Sequence, residues 1–559
     1  MESQRSFLFI ALVLVSFFLF QEWQKDYHPQ QDVPQQVASS GDIPSSEVPA
    51  SDSNNADVPA SARDTIRPQL AQADRLIKVH TNVLDLVIDT KGGDILGADL
   101  KNYPIEQGEP ALIALLSKNH QAQSGLIGKD GPDGNRKGRP NYLAPKLEYT
   151  NNGDADIVIP LTWSNGGLTV TKTLTIKANE YDIDVSYTIK NNSSEIKTVQ
   201  PYAQLKKLIL APETSMMMNA YNAATYSTKE ERYEKYDMDE MEDRNLSKNT
   251  VGGWVAMQQH YFVAAWVPNQ QQQNNIFTKV ASNGSGIIGY KGPLFEIQPG
   301  QTETISTTLY AGPKNQEKMA ELAEYLDLTV DYGPLWFISK LLFWLLNILH
   351  GLIPNWGVAI ILITVVVKFI LYPLTKKQTI SMAKMRKLQP KLAQLKERFG
   401  DDKQKMGPAM MELYKKEQVN PMGGCLPLLL QMPIFLSLYW MLMESVELRH
   451  APFIFWITDL STKDPFFVLP VLYGASMFLM QKLQPTPTTD PMQQKVMMWM
   501  PVVFSLLFVI FPAGLVLYWC VNNIISILQT LYIYRQIDKK GLDKPKDKTK
   551  GKTKVVKSK

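Results

Sequence analysis

A lysine lies inside an otherwise apolar run of the sequence. Lys368 is the only charged residue of ITVVVKFILYPL (residues 363–374), and Thr364 lies four positions before it, on the same helical face. A lysine near the centre of a bilayer costs about 2.5–3.5 kcal/mol on insertion scales. Two interpretations are open from position alone. The side chain extends toward the nearer headgroups, or it is functional and faces a water-filled cavity.

Further polar residues occur in other apolar runs. Gln431 is one, and Trp519 and Asn522 are three positions apart and share a helical face. These side chains either line the same cavity as Lys368 or form hydrogen bonds between helices. The apolar runs contain no acidic residue that could neutralise the lysine, since Glu444 lies at the opposite membrane side. We therefore expect a hydrated cavity that opens toward the cytoplasm and is closed toward the outside.

Several other kinds of chemistry are excluded by the residues present. The two cysteines, Cys425 and Cys520, are far apart, so neither a disulfide framework nor a cysteine-based zinc site is predicted. The six histidines form no H-x-x-x-H pair, and the chain has no G-x-x-x-x-G-K-[ST] phosphate-binding loop. We expect no catalytic residues, no metal and no cofactor.

The N-terminal part of the chain predicts a membrane anchor followed by a linker. An apolar run of about 15 residues follows Arg5, a length that also fits a signal peptide. It lacks a small-x-small cleavage site, so we predict an uncleaved transmembrane anchor over residues 1–23. Residues 24–65 are rich in Pro, Ser, Gln, Asp and Ala without apolar periodicity, which predicts a disordered linker.

The region 66–334 predicts an all-β domain. Apolar and polar residues alternate in residues 168–177 and 181–189, as in half-buried strands. Glycine-rich turn sequences separate many such segments, which indicates a large antiparallel sandwich. The run NQQQQNN (269–275) is predicted to be a hairpin loop.

The chain after residue 335 has the composition of a membrane protein. Residues 335–352 predict an amphipathic helix that lies in the membrane interface. Residues 353–535 predict a core of five transmembrane helices, because five apolar runs of 16 to 20 residues follow one another. These runs cover residues 356–374, 424–443, 466–483, 496–511 and 515–533.

The distribution of charge predicts the topology. Residues 375–420 carry 12 Lys/Arg against 5 Asp/Glu, and residues 535–559 carry 11 against 3. By the positive-inside rule both segments are cytoplasmic, which gives six spans with both termini inside and the β domain outside. Apolar residues at spacings of three and four predict an antiparallel helical hairpin within 375–420. The segment 536–559 is then a basic cytoplasmic tail.

Four segments of the sequence resemble the YidC membrane protein insertases. They are YPLTKKQTISMAKMRKLQPKL (372–392), VNPMGGCLPLLLQMPIF (419–435), DPMQQKVMMWMPVVF (490–504) and FPAGLVLYW (511–519). The resemblance runs from about residue 335 to 540. It extends to the anchor and the large periplasmic domain of Gram-negative members, so it implies an inner-membrane protein with a periplasmic β-supersandwich.

The resemblance also implies a mechanism. Family members hold a hydrophilic groove, open to the cytoplasm and to lipid, with one basic residue that is usually arginine. Lys368 occupies that place, which keeps the charge but loses the planar fork of arginine. Trp519 stands where relatives often have tyrosine. The lysine would attract acidic residues of a nascent membrane protein, and the substrate helix would then pass Met432 and Pro433 into lipid. The expected partners are nascent membrane proteins, the Sec translocon, membrane lipid, and the ribosome and targeting machinery.

Two other functions are compatible with parts of the sequence. A small-solute or ion transporter would show polar residues at matching depth in two repeated halves, and we find no such repeat. A membrane-anchored periplasmic carbohydrate enzyme would need paired carboxylates in a cleft, and would leave the five C-terminal spans without a role.

Overall fold

The computed structural model describes two connected parts, a β-sandwich and a helical bundle. The predicted anchor, the predicted linker and residues 541–559 of the predicted tail lie outside the described residues, whereas residues 536–540 continue the last helix. The structure describes residues 75–133, 138–151, 153–208, 224–399, 403–417, 426–483 and 491–540.

The first part contains nineteen strands within the described ranges. Their bounds are β1 Leu76–His80, β2 Leu84–Asp89, β3 Asp94–Pro104, β4 Leu112–Leu116, β5 His120–Ile127, β6 Glu148–Thr150, β7 Ile157–Asn165, β8 Leu168–Ile176, β9 Asp182–Asn191, β10 Lys197–Leu208, β11 Ala224–Ser227, β12 Glu234–Tyr236, β13 Ser247–Val251, β14 Trp254–Gln258, β15 Phe262–Pro268, β16 Gln273–Val280, β17 Ser285–Lys291, β18 Phe295–Ile297 and β19 Thr302–Pro313.

These strands form two sheets. One has eleven strands, with the order β13-β16-β17-β10-β5-β3-β2-β1-β6 and with β4 and β18 attached to β3 and β10. The other has eight, in the order β12-β11-β14-β15-β19-β9-β8-β7. The pairs are antiparallel except β1 with β6. The predicted alternation is confirmed in β8, where every second side chain is buried. The sandwich predicted from the sequence is therefore confirmed.

The prediction of a hairpin loop at 269–275 is wrong. β15 ends at Pro268 in the eight-stranded sheet, whereas β16 begins at Gln273 in the eleven-stranded sheet. The turn between them therefore crosses from one sheet to the other. A run of Gln and Asn has the polarity of any surface turn, and polarity alone does not say which strand the chain pairs with next.

Two short helices belong to the sandwich, α1 Met238–Asp243 and α2 Gln316–Leu322. The second part of the structure is a bundle of longer helices. Their bounds are α3 Trp336–Leu352, α4 Trp356–Ile370, α5 Tyr372–Phe399, α6 Lys403–Lys416, α7 Leu426–Glu444, α8 Val468–Leu483, α9 Pro491–Leu507 and α10 Ala513–Lys540. α5 and α6 lie where the cytoplasmic hairpin is predicted.

Two of the apolar helices, α4 with 15 residues and α8 with 16, are shorter than the runs predicted for them, whereas α10 with 28 residues is longer. Among the described residues, two helices are long and apolar enough to cross a membrane, Gly333–Leu352 and Ala513–Lys539. A third candidate is the pair α4 and α5, which is bent by 65°. α4 has 15 residues and is thus about 22 Å long, against a hydrocarbon core of about 30 Å. Short spans are accommodated by local thinning of the bilayer.

The helix predicted at the interface, α3, packs one face on the bundle. Its buried residues include Leu342, Phe343 and Leu346, while Trp336 and Trp344 are exposed. Its Ser339 hydroxyl donates to the Ser437 carbonyl in α7 at 3.0 Å. By length and composition this helix could also span, so its interfacial position stays a prediction.

The sandwich and the bundle share hydrophobic packing. One buried cluster joins Trp254 and Val263 of the sandwich to Leu438 and Met441 of α7. Val446, just after α7, belongs to the main cluster of the sandwich. Burial of apolar surface on both sides of the junction stabilises the contact between the two parts.

Polar contacts reinforce the same junction. The Arg449 guanidinium donates to the carbonyls of Pro104 (2.9 Å) and Ile105 (3.0 Å) at the end of β3. It also lies over the Phe262 ring, 5.9 Å from its centroid. The imidazole of His260 lies 3.5 Å from the Glu444 carboxylate at the end of α7.

We predict that Arg449→Ala weakens the contact between sandwich and bundle. The change removes two hydrogen bonds from a charged donor, each worth about 1.5–3 kcal/mol. Proteolysis of the full chain in detergent should therefore separate the two parts faster. Lys463→Ala, which removes an exposed cation from the same loop, is the matched control. Equal cleavage rates for Arg449→Ala and the parent chain would contradict this contact energy.

We also predict that acid destabilises the sandwich through His120. Its Nδ1 lies 2.8 Å from the Leu115 carbonyl oxygen. Burial lowers the pKa of His120 to about 3, and the nearby Lys207 ammonium contributes to the lowering. The unfolded chain binds the proton near pH 6.5. Stability is therefore lost as the pH falls from 6.5 toward 3, by about 2 kcal/mol between pH 7 and 5.

Urea unfolding of the sandwich domain at pH 7 and pH 5 checks this effect. The variant His120→Gln supplies an amide N–H in place of the imidazole N–H but does not titrate, so it should lose less stability than the parent between the two pH values. A parent and a variant with the same pH dependence would show that His120 is not the titrating group.

Candidate functional site

The structure brings Lys368 into the wall of a cavity in the helical bundle. The cavity has a volume of about 330 Å³ and is lined by residues of α4, α5, α7, α8 and α10. Its lining residues are Lys368, Thr375, Gln378, Thr379, Met382, Gln431, Met432, Phe435, Met480, Asn522, Ser526, Thr530 and Tyr534. At about 30 Å³ per liquid water, this volume has room for roughly ten water molecules.

The cavity lies at the end of the bundle away from the sandwich. Lys368 is in the last turn of α4, and Gln431 is in the first half of α7, whose other end meets the sandwich. The cavity residues of α10 all follow its first two turns. The positively charged helix α5 begins at the same end, directly after α4, and α6 packs against α5.

A cluster of aromatic side chains separates the cavity from the sandwich. Trp519 stacks on Phe508 with ring centroids 4.1 Å apart, and it lies edge-on to Phe511 at 5.5 Å. Phe435, which lines the cavity, stacks on Trp519 from the other side at 5.9 Å. Val516, one turn earlier in α10, is fully buried. The bundle is therefore packed on the sandwich side and open on the other.

Lys368 is 5% exposed and has a hydroxyl partner. Its Nζ donates to the Ser526 Oγ of α10 at 2.8 Å. Its backbone carbonyl accepts from the Gln529 side chain at 3.2 Å. Within the part of the chain that the structure describes, Lys368 forms no ion pair with a carboxylate. A hydroxyl partner does not neutralise the ammonium, so the charge of Lys368 stays available for an external anion.

Thr364 lies outside the cavity wall. It is buried, and its hydroxyl donates to the Ile360 carbonyl of the same helix at 2.6 Å. A threonine in a helix commonly donates its hydroxyl proton to the carbonyl four residues earlier, and that proton is then not available to the cavity. The spacing of four residues from Lys368 places both residues on one face but does not make both reach the cavity.

Some of the remaining predicted residues line the cavity and others do not. Gln431, Met432 and Asn522 line the cavity, and Met432 is 42% exposed. Trp519 does not line it, because its ring packs behind Phe435. Pro433 is also outside the wall, and its carbonyl accepts from the Ser437 hydroxyl at 2.7 Å.

Several cavity residues were missed by the sequence analysis, although a signal for them exists. The missed residues Ser526, Thr530 and Tyr534 follow the predicted Asn522 at intervals of four, which forms a polar stripe along α10. In α5 the lining residues Thr375, Gln378, Thr379 and Met382 are spaced three, one and three apart, again on one helical face. Only the stripe, rather than any single residue, distinguishes them from ordinary helix-helix contacts.

The described residues contain no cluster of His, Cys, Asp and Glu that could hold a metal ion. The arrangement offers a cation, amide and hydroxyl groups, and flexible Met side chains. These groups can attract a polar or acidic chain segment and contact an apolar one.

A polytopic helical bundle with a sandwich domain and a cationic cavity defines a class of inner-membrane protein. Two family models match the chain, "60Kd inner membrane protein" over residues 348–540 and "YidC periplasmic domain" over residues 76–345. The helices and the sandwich thus correspond to an inner-membrane part and a periplasmic domain.

The chain belongs to the YidC membrane protein insertase family. It is 52% identical to the membrane protein insertase YidC of Pseudoalteromonas atlantica over 549 residues, which cover 97% of this chain and 99% of that protein. It is 50% identical to the corresponding protein of Aeromonas hydrophila over 553 residues, with the same coverage. These relatives are named insertases rather than enzymes or transporters.

Solved structures also align with the chain. An active YidC insertase with its first transmembrane domain resolved aligns over 84% of this chain and 93% of that chain, with 20% identity and a TM-score of 0.38. A galactose mutarotase related enzyme from Lactobacillus acidophilus aligns over 42% of this chain and 97% of that chain, with 10% identity and a TM-score of 0.30.

We predict that the cavity is accessible to water from the side of α5 and α6. In a chain whose two native cysteines are replaced, Gln431→Cys and Asn522→Cys should react with a charged maleimide added to inverted membrane vesicles. The control Val516→Cys, fully buried in the same helix as Asn522, should react slowly. Equal labelling at all three positions, or labelling from the periplasmic side only, would contradict a cavity closed toward the sandwich.

Proposed function

We propose that this protein inserts integral proteins into the bacterial inner membrane and helps them fold. The observation that carries the proposal is the position of Lys368, whose ammonium lies at the wall of a large cavity and has a hydroxyl partner instead of a carboxylate. The names of the relatives, which match almost the whole chain, support the same function.

The charge would act on acidic residues in the short extracellular segment of a substrate. Two unit charges attract each other several times more strongly in a partly buried site than in bulk water, because the effective dielectric constant is lower. The attraction would hold the polar segment in the cavity while the apolar helix remains near lipid. The short helix α4, about 22 Å long, implies a thinned bilayer at this place and hence a shorter distance to cross.

The substrate helix would then leave sideways into lipid. We place its path beside Met432 and Pro433, between α7 and α9. α9 carries exposed apolar side chains, among them Trp499, Val503 and Leu506. Burial of apolar surface in lipid would supply the driving force, with the membrane potential contributing for charged segments.

The topology and the domains complete the proposal. We place both termini in the cytoplasm, the anchor at 1–23 and linker at 24–65 before the periplasmic sandwich (66–334), and α3 (335–352) at the interface. The core at 353–535 then performs insertion. The hairpin at 375–420 and the tail at 536–559 would bind the ribosome, the targeting machinery and anionic lipid, because they are strongly basic. The Sec translocon is the proposed partner for larger substrates.

The charge at residue 368 tests this proposal. Cells depleted of the parent protein would carry Lys368→Arg, Lys368→Ala or Lys368→Glu, with insertion of a short, acidic-tailed single-span protein followed by protease protection. We expect Arg to support insertion and Ala to reduce it at least tenfold. Glu should abolish insertion, because the carboxylate of the new glutamate repels the carboxylates of the substrate. Equal insertion by all three variants would show that the lysine only extends to the headgroups.

A further inference from the structure

The ammonium of Lys368 is held by a hydroxyl from another helix. Ser526 lies in the middle of α10, and its Oγ accepts from Lys368 Nζ at 2.8 Å. One turn later, Gln529 donates to the backbone carbonyl of Lys368 at 3.2 Å. α4 and α10 are thus joined twice at this level, so the serine stands at a fixed distance from the base of the lysine.

The hydrogen-bond pattern orients the serine as an acceptor. The Ser526 hydroxyl donates its own proton to the Asn522 carbonyl, four residues earlier, at 2.7 Å. A hydroxyl has one proton and two lone pairs. With the proton used within α10, the lone pairs remain for the ammonium.

A lysine at this place needs such an acceptor more than an arginine would. The lysine stem is flexible, and the ammonium is a compact charge without a fixed fork of donors. Without a partner the side chain would also populate rotamers that extend toward the headgroups, away from the cavity. A carboxylate partner would hold the ammonium more firmly, but it would neutralise the charge that a substrate must find.

We propose that Ser526 is a positioning residue, which keeps the Lys368 ammonium in the cavity without neutralising it. The inference rests on the proposed function, since it concerns the recognition of acidic substrate segments. A substrate carboxylate forms a charge-assisted hydrogen bond, roughly twice as strong as a neutral one. The substrate carboxylate can therefore replace Ser526 as the hydrogen-bond partner of the ammonium, and the bond to Ser526 forms again when the substrate leaves.

The experiment compares two substrates in the full-length protein. One is a single-span protein with an acidic tail, and the other is the same protein with the acidic residues changed to their amides. Ser526→Ala should lower the initial rate of insertion of the acidic substrate roughly fivefold, which corresponds to one ordinary hydrogen bond of about 1 kcal/mol. It should lower insertion of the amide substrate less than twofold. Ser526→Thr keeps the hydroxyl and should restore the parent's ratio between the two substrates.

Two further variants separate positioning from a general effect on the fold. Ser505→Ala is the matched control, because the Ser505 hydroxyl donates to the Pro470 carbonyl between α9 and α8, away from the cavity. It should leave the ratio between the two substrates as it is in the parent. In a Lys368→Met chain, adding Ser526→Ala should change the remaining insertion by less than twofold, since the cation to be positioned is gone.

Three outcomes would overturn the inference. In the first, the Ser526→Ala protein inserts the acidic substrate at the parent's rate. In the second, Ser526→Ala lowers the insertion rates of both substrates equally. In the third, Ser526→Ala lowers the insertion rate further in the Lys368→Met chain. Failure of the proposed function is distinguishable, because Lys368→Met would then insert the acidic substrate as fast as the parent. A slow Lys368→Met with a fast Ser526→Ala overturns only the positioning role of Ser526.

Discussion

A positive charge that must stay hydrated inside an apolar bundle is the constraint on which the rest of the membrane part depends. An ammonium near the bilayer centre costs about 2.5–3.5 kcal/mol on insertion scales, and more when neither water nor a counter-ion reaches it. The bundle meets this constraint by leaving a cavity between α4, α5, α7, α8 and α10 beside Lys368. Ser526 provides a neutral acceptor, so the charge is held but not cancelled.

The same constraint explains why the two ends of the bundle differ. A cavity open at both ends would be a water-filled path across the membrane. The aromatic side chains of Trp519, Phe508, Phe511 and Phe435 fill the space on the sandwich side and stack on one another. Their large apolar area makes a compact seal, and their stacking stabilises this aromatic cluster further. The polar stripe of α10 begins only beyond this seal.

The sandwich is joined to the bundle more closely than a tethered domain would be. Buried residues of its sheets share one cluster with α7, and Arg449 donates to the end of β3. Because α7 also carries Gln431 and Met432, one end of this helix is fixed by the sandwich while the other lines the cavity. Because the sandwich fixes one end of α7, it also helps to hold the part of the helix that lines the cavity in position.

Periodicity and charge are local properties of a sequence, and from them alone we could predict the β-sandwich, the order of the apolar helices, the helical hairpin and the unusual lysine. The sequence also determined the family through four segments in order. Which polar residues meet is visible only once the helices are packed: Thr364 bonds to its own helix, Trp519 packs behind Phe435, and Ser526 accepts a hydrogen bond from Lys368. Likewise, the strand that begins at Gln273 pairs within the other sheet. Pairing between distant segments depends on how whole elements come together in space, and no local pattern carries that information.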